Sequence, residues 1–189
     1  NYLHSAFFGG ISRFSDYVEE GTLDLILLKP VDPQFLISTR YINYQSLLSL
    51  VFPLALIVYV MGWQGITLSF LHLILYLLLL ICGLLIRYAL GFLIMSSSLW
   101  VVRADALYAL YDYIASLAQY PLSIYPAVVK VIFTFLIPII IIANFPALSL
   151  LGELDPRFIL LSLLVSSFFF FLARGMFLFS LRFYTSASS

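Results

Sequence analysis

Charge is what this chain has least of. Its 189 residues hold nine Lys or Arg and nine Asp or Glu, 10% in all, against a 63% hydrophobic content and a mean hydropathy of +1.11. Soluble domains carry about 25% charged residues and about 45–50% apolar ones, so a soluble globule is excluded. Disorder is excluded as well, because disordered chains are polar and poor in aromatics, whereas 17% of this one is aromatic. The net charge is zero, so nothing in it suggests a nucleic-acid partner. A single cysteine, Cys82, allows neither an internal disulfide nor a thiolate metal cluster. His72 has no second His or carboxylate at i+3 or i+4 to form a metal site. No G-x-x-x-x-G-K-[ST] loop, G-x-S-x-G elbow or paired-His motif occurs, so neither ATP hydrolysis nor hydrolase chemistry is expected, and no cofactor. Residue 1 is not Met and no signal-peptide pattern follows it; the chain reads as a piece whose true N-terminus is missing.

What is present is long apolar sequence, for which the solvent is lipid. Five of the nine acids fall in the first 32 residues, Asp16, Glu19, Glu20, Asp24 and Asp32, with Arg13, Lys29 and Arg40 nearby. Residues 41–86 then hold no charge, far more than the roughly 20 residues one span needs. The expectation is an all-α integral membrane protein: an amphipathic head over 1–40 and a polytopic helical bundle over 41–189.

In the head, Ile11, Phe14 and Val18 share one helical face, with Arg13, Asp16, Glu19 and Glu20 mostly off it. Gly21 is a stop, Thr22 a cap for a second short helix carrying Asp24 in its first turn, and Pro30 its end. Asp32-Pro33 predicts a helix start that runs to about Arg40 and into the bilayer. Spans are expected over 42–62, kinked at Pro53; over 66–102, one crossing broken around Gly83–Gly91; over 106–125; and over 158–182, after an acid-Pro start at Asp155-Pro156. Residues 128–151, interrupted by Pro138, Asn144 and Pro146, fit a re-entrant segment. The positive-inside rule places the head, Arg103 and Arg182 in the cytoplasm.

Four strings carry a resemblance. Glu20-Gly21-Thr22-Leu23-Asp24-Leu25-Ile26-Leu27-Leu28-Lys29-Pro30 resembles the cytoplasmic loop of ABC-2 type permeases. The C-terminal Leu181-Arg182-Phe183-Tyr184-Thr185-Ser186-Ala187-Ser188-Ser189 resembles the ending of one bacterial branch. Ser98-Leu99-Trp100 with Arg103-Ala104-Asp105, and Tyr120-Pro121 through Pro138 to Phe145-Pro146-Ala147, resemble later helices of the same family in the same order. The resemblance implies a permease without its first two helices. It implies an exporter in the bacterial inner membrane, moving a lipophilic or drug-like substrate with a second permease subunit and two copies of an ATPase subunit. It also implies that Glu19, Glu20, Gly21, Thr22, Leu23, Asp24, Leu28 and Pro30 couple to that ATPase.

Two further readings stand beside these. The head could be an amphipathic helix lying on lipid, although its acids repel anionic headgroups. The whole chain could be a non-transporting scaffold that docks a partner through the same acids. Arg87, Tyr111, Asp112 and Arg174 are candidate pathway residues, because ionisable groups at membrane depth are costly. The alternative is that these charges pair with one another or with backbone.

Overall fold

The computed structural model describes residues 2–63, 65, 69–100, 104–120 and 122–184. Gln64, Arg103, Pro121 and the 185–189 string lie outside the described residues. Among those described, the chain is helical with no strand. Among the described residues three helices are long and apolar enough to cross a membrane, Tyr44–Trp63, Phe70–Leu99 and Pro156–Leu181, or four if the bent pair Ala127–Leu136 and Ile139–Leu151 is one span.

The head is a run of short helices: α1 (Tyr2–Phe8), a 3-10 turn (Gly9–Arg13), α2 (Phe14–Glu19), α3 (Leu23–Leu27) and α4 (Pro33–Thr39). Gly21 takes a left-handed φ of 67° between α2 and α3, a conformation that costs glycine nothing. Thr22 does not cap α3: its own backbone is helical and its hydroxyl makes no cap bond. Asp32 does cap α4, accepting the Phe35 N–H at 3.0 Å, with Pro33 at the first helical position. That helix stops short of the bilayer segment. Asn43 accepts the Ser46 N–H and starts a new one, α5 (Tyr44–Leu48). A break at Ser49–Leu50 precedes α6 (Val51–Trp63). Pro53 explains its position, since a proline ring clashes with the carbonyl four residues earlier, which is that of Ser49.

The long apolar segment is one unbroken helix, α7 (Phe70–Ser96), not one broken around Gly83–Gly91. Those glycines are places of close approach. A Cβ on Gly83 would stand 2.8 Å from the Ile142 carbonyl oxygen, and one on Gly91 would stand 3.2 Å from the Tyr108 ring. The next helix, α8 (Ala104–Ser116), has 13 residues. It is about 20 Å long and does not reach across a roughly 30 Å core. The expected single helix over 106–125 therefore ends early, and Tyr120 is extended, the conformation that a following proline favours.

Next come α9 (Ala127–Val131) with a π-turn over Ile132–Leu136, and α10 (Ile139–Leu151). The two arms meet at a 100° bend, at Pro138. Asn144 and Pro146 interrupt nothing; they sit inside α10. Residue 146 has no N–H to give the Ile142 carbonyl, and this carbonyl is the one that abuts Gly83. The last helix, α11 (Pro156–Leu181), is capped by Asp155.

Contacts fix how the helices run. His72 lies near Gly152, just before α11, while Trp100 stacks edge-on against Phe179 and Phe183 at the other end. Helices α7 and α11 are thus parallel neighbours. The head packs on their C-terminal halves: Ile11, Phe14, Leu23, Ile26 and Ile37 share one buried cluster with Phe92, Met95, Phe169 and Phe177. Helix α10 packs on the opposite half of α7, where Leu79 and Ile86 meet Ile140, Ile141 and Phe145.

Candidate functional site

The site expected from sequence is the turn between α2 and α3, together with α3 itself and the stretch up to Pro30. Spacing divides its residues into two faces. Leu23 and Ile26, three apart, are 0% and 1% exposed and belong to the head–α7–α11 core. Leu25, Leu28 and Val31, also three apart, point outward at 64%, 81% and 46% exposure. Glu19, Glu20, Lys29 and Pro30 are exposed beside them. Leu23 is therefore an anchor and not part of the outer surface with which sequence reading grouped it. Leu25 and Val31 belong to that surface and were missed; Leu25, three residues before Leu28, carried a helical-spacing signal, whereas Val31 lies beyond Pro30, off α3, and carried none. Asp24 is half-buried. It lies against the Tyr184 hydroxyl, and burial together with this carboxylate raises that phenol above its ordinary value.

The face of the head that could have rested on lipid is occupied. Ile11 and Phe14 are fully buried. The Phe14 ring sits 6.1 Å from both Phe92 and Phe177, edge-on to the latter. Burying such side chains contributes about 1.5–3 kcal/mol each. That contribution is made against protein here, so the surface-helix reading loses its apolar face.

A polar clasp adds to the apolar seam. Arg174 of α11 grips Asp32 with two N–H groups, Nη1 to Oδ1 at 3.1 Å and Nη2 to Oδ2 at 2.6 Å; its Nη1 also donates to Gln34 Oε1 at 3.1 Å. Gln34 Nε2 donates to the Tyr88 hydroxyl of α7 at 2.9 Å. Ser38 Oγ lies 3.1 Å from the same hydroxyl and donates to the Gln34 carbonyl at 2.6 Å. A serine has one proton, so Tyr88 gives its own to Ser38 and the chain of bonds closes. Burial pushes the Asp32 carboxyl up, but the Phe35 N–H and Arg174 outweigh it and hold the group below its ordinary value. On the far side of α4, the Arg13 guanidinium lies 4.4 Å above the Tyr41 ring, a cation–π contact.

A second charged cluster lies deeper. Arg87 is 4% exposed and is paired through Nη2 with Asp112 Oδ1 of α8. Tyr111 donates to the Arg87 backbone carbonyl at 3.0 Å. The Arg87 Nε and Nη1 have no partner among the described residues. His4 of α1 is also buried; burial first, then the Arg87 charge, lowers its pKa to about 3, so it is neutral at pH 7.

The structure thus brings Arg87, Tyr111 and Asp112 together and takes Arg174 away from them to the head. Asp112 is 55% exposed on a face of α8 that also presents Leu110 and Tyr113. Among the described residues no cluster of His, Cys, Asp or Glu could hold a metal ion.

The profile of the family described as "ABC-2 family transporter protein" matches residues 1–188. Neither a search of curated proteins nor one of solved structures gives a match.

Proposed function

The chain belongs to the ABC-2 family of transporter proteins and is a membrane permease component of ABC transport, and we propose that it works as the force-receiving subunit of an exporter. In this reading a separate ATPase subunit, present in two copies, docks on Glu19, Glu20, Leu25, Leu28 and Val31. The carboxylates suit a basic groove, and three exposed aliphatic side chains are what a desolvated contact needs. Closure of the ATPases pushes the head, and the head moves α7 and α11 with it because its inner face is packed into both.

The moving helices then admit a lipophilic substrate along α8. A half-exposed acid at membrane depth is costly against lipid, so the Asp112 face of α8 lines water or meets a second permease subunit. Helices α7 and α11 both end at the head. In this reading that shared end is the cytoplasmic side of a bacterial inner membrane.

One observation carries the reading: a head with one face sealed to two helices and an outward face on which Leu25, Leu28 and Val31 are exposed along with Glu19, Glu20 and Lys29. The test uses the full chain reconstituted with its ATPase in vesicles. Glu20→Lys with Leu28→Asp is expected to lower transport-coupled ATPase stimulation at least about tenfold, equivalent to about 1.4 kcal/mol of docking energy. The thermal unfolding of the permease should not change, because both positions are exposed. Undiminished stimulation would refute ATPase docking at this surface. Docking without any stimulation would restore the scaffold reading.

A further inference from the structure

The clasp between Arg174 and the head forms one end of a cavity of about 490 Å³ between α4, α7 and α11. This is within the roughly 300–1,000 Å³ of small-molecule sites. Its polar end holds Asp32, Gln34, Ser38 and Arg174. Its walls include Leu85, Phe170 and Phe171.

The arrangement follows the helices. On α7, Tyr88 stands on the head side and Leu85 one turn away from the head. On α11, Arg174 stands on the head side, with Phe170 and Phe171 one turn away from it. Both helices run in the same direction, so the polar-to-apolar gradients reinforce each other, and the apolar end faces the bilayer interior. Phe35 and Phe171 are 61% and 70% exposed, which leaves the cavity open on the side where lipid lies.

The charges at the mouth narrow the ligand. Asp32 and Arg174 are 41% and 35% exposed, so both can be reached. Together they offer one anion and one cation about a single point. A purely anionic headgroup would meet Asp32, and a purely cationic one would meet Arg174. Asp32 and Arg174 already pair with each other. A headgroup carrying both an ammonium and a phosphate extends that pair at both ends, the phosphate on the N–H groups of Arg174 not used by Asp32 and the ammonium on the carboxylate, without setting like charge against either.

We propose that this cavity binds a zwitterionic amphiphile from the head-side leaflet. Its phosphate lies on Arg174, its ammonium on Asp32, and one acyl chain runs along Leu85, Phe170 and Phe171. Such a ligand would bridge the head to α11 at the place where the docked ATPase pushes. Two sources share this chemistry, a resident bilayer phospholipid and a transported amphiphile.

The full-length protein, in vesicles of equal phosphatidylethanolamine and phosphatidylglycerol, is extracted in mild detergent. The retained lipid is then measured by mass spectrometry. The native chain is expected to keep phosphatidylethanolamine in preference. Arg174→Gln should lose it at least about tenfold, the worth of a hydrogen bond to a charged group. Leu85→Trp, which fills the apolar end and leaves the clasp intact, should lose it as well and covers the case in which Arg174→Gln unfolds the head.

Equal retention of phosphatidylglycerol, or native-like retention by both variants, would overturn the site. In a second arm, with ATP and the ATPase, movement of labelled phosphatidylethanolamine to the other leaflet marks a transported amphiphile. Retention without movement marks a resident lipid. Either result upholds the site. The binding readout needs no ATPase, so it stands or falls separately from the coupling reading.

Discussion

Helices α6 and α7 are both apolar, and by length and composition both the segment holding α6 and α7 itself can cross a membrane, yet the protein uses them in opposite ways. α6 buries one residue, Met61, and turns Phe52, Val58, Tyr59 and Trp63 outward at 69–80% exposure. α7 is the axis of the molecule, in contact with the head, α8, α10 and α11. Hydropathy does not separate them. Buried small residues and polar handles do: α7 has Gly83, Gly91, Arg87, Tyr88 and Ser96 packed along its length, whereas the Ala55 and Tyr59 of α6 are exposed and its Gly62 has nothing within 4 Å of its Cβ position. In lipid there is no hydrophobic force between helices, so close backbone approach and polar pairing decide which of them associate.

The largest effect that would test this contrast is steric. Gly83→Leu must push α10 off α7, because even its Cβ meets the Ile142 backbone. We expect a loss at or beyond the upper end of the about 1–3 kcal/mol usual for overpacking, seen as failure to recover monodisperse protein from membranes. Gly62→Leu in α6 should be recovered normally; equal losses would show that the two helices are not packed differently.

Next in size is the ion pair. Asp112→Leu leaves Arg87 buried and unpaired, which costs roughly 3–5 kcal/mol when both partners are buried. Asp112 is half-exposed, so the expected loss lies at or below the lower bound, read as a drop in thermal unfolding temperature. The double variant Arg87→Met with Asp112→Leu should recover most of it. No recovery would mean that Asp112 acts independently of Arg87.

The smallest effect is a pH dependence in which α1 loosens from α7. His4 has a folded pKa of about 3 against an ordinary 6.5. The unfolded state therefore binds a proton that the folded state refuses. Stability is fully present above pH 6.5 and falls as the pH drops from there toward 3. Between pH 7 and pH 5 the loss is about 2 kcal/mol, and His4→Phe should flatten that slope. An unchanged slope would show that His4 takes up its proton in the folded chain.

Much of the candidate site was legible in the sequence, and its failures have identifiable causes. The acid-Pro starts at Asp32 and Asp155 and the Gly21 stop are local signals, and local geometry realised them; Ile11 and Phe14 are buried together, but Ile11 lies in the 3-10 turn and only Phe14 in α2, so no single helix carries that face. The cap assigned to Thr22 failed because its backbone is itself helical, where a capping residue takes an extended one, and its hydroxyl makes no cap bond. The break assigned to Gly83–Gly91 failed because a glycine weakens a helix by only about 1 kcal/mol, while a long apolar helix in contact with three others has far more to hold it. Arg174 lies some 140 positions from Asp32 and Gln34, and no spacing rule joins it to them.

By itself, then, the sequence determined that the chain belongs in a membrane, where most helices begin and end, and that an acidic head precedes them. These follow from transfer energies and backbone stereochemistry, which act residue by residue. Only the tertiary structure decided that Leu23 anchors while Leu25 and Leu28 face outward, that Arg174 holds the head and not a pathway, and that α7 is the axis while α6 stands apart. Each of these depends on which groups meet across space, and in lipid that is settled by close contact and paired charge.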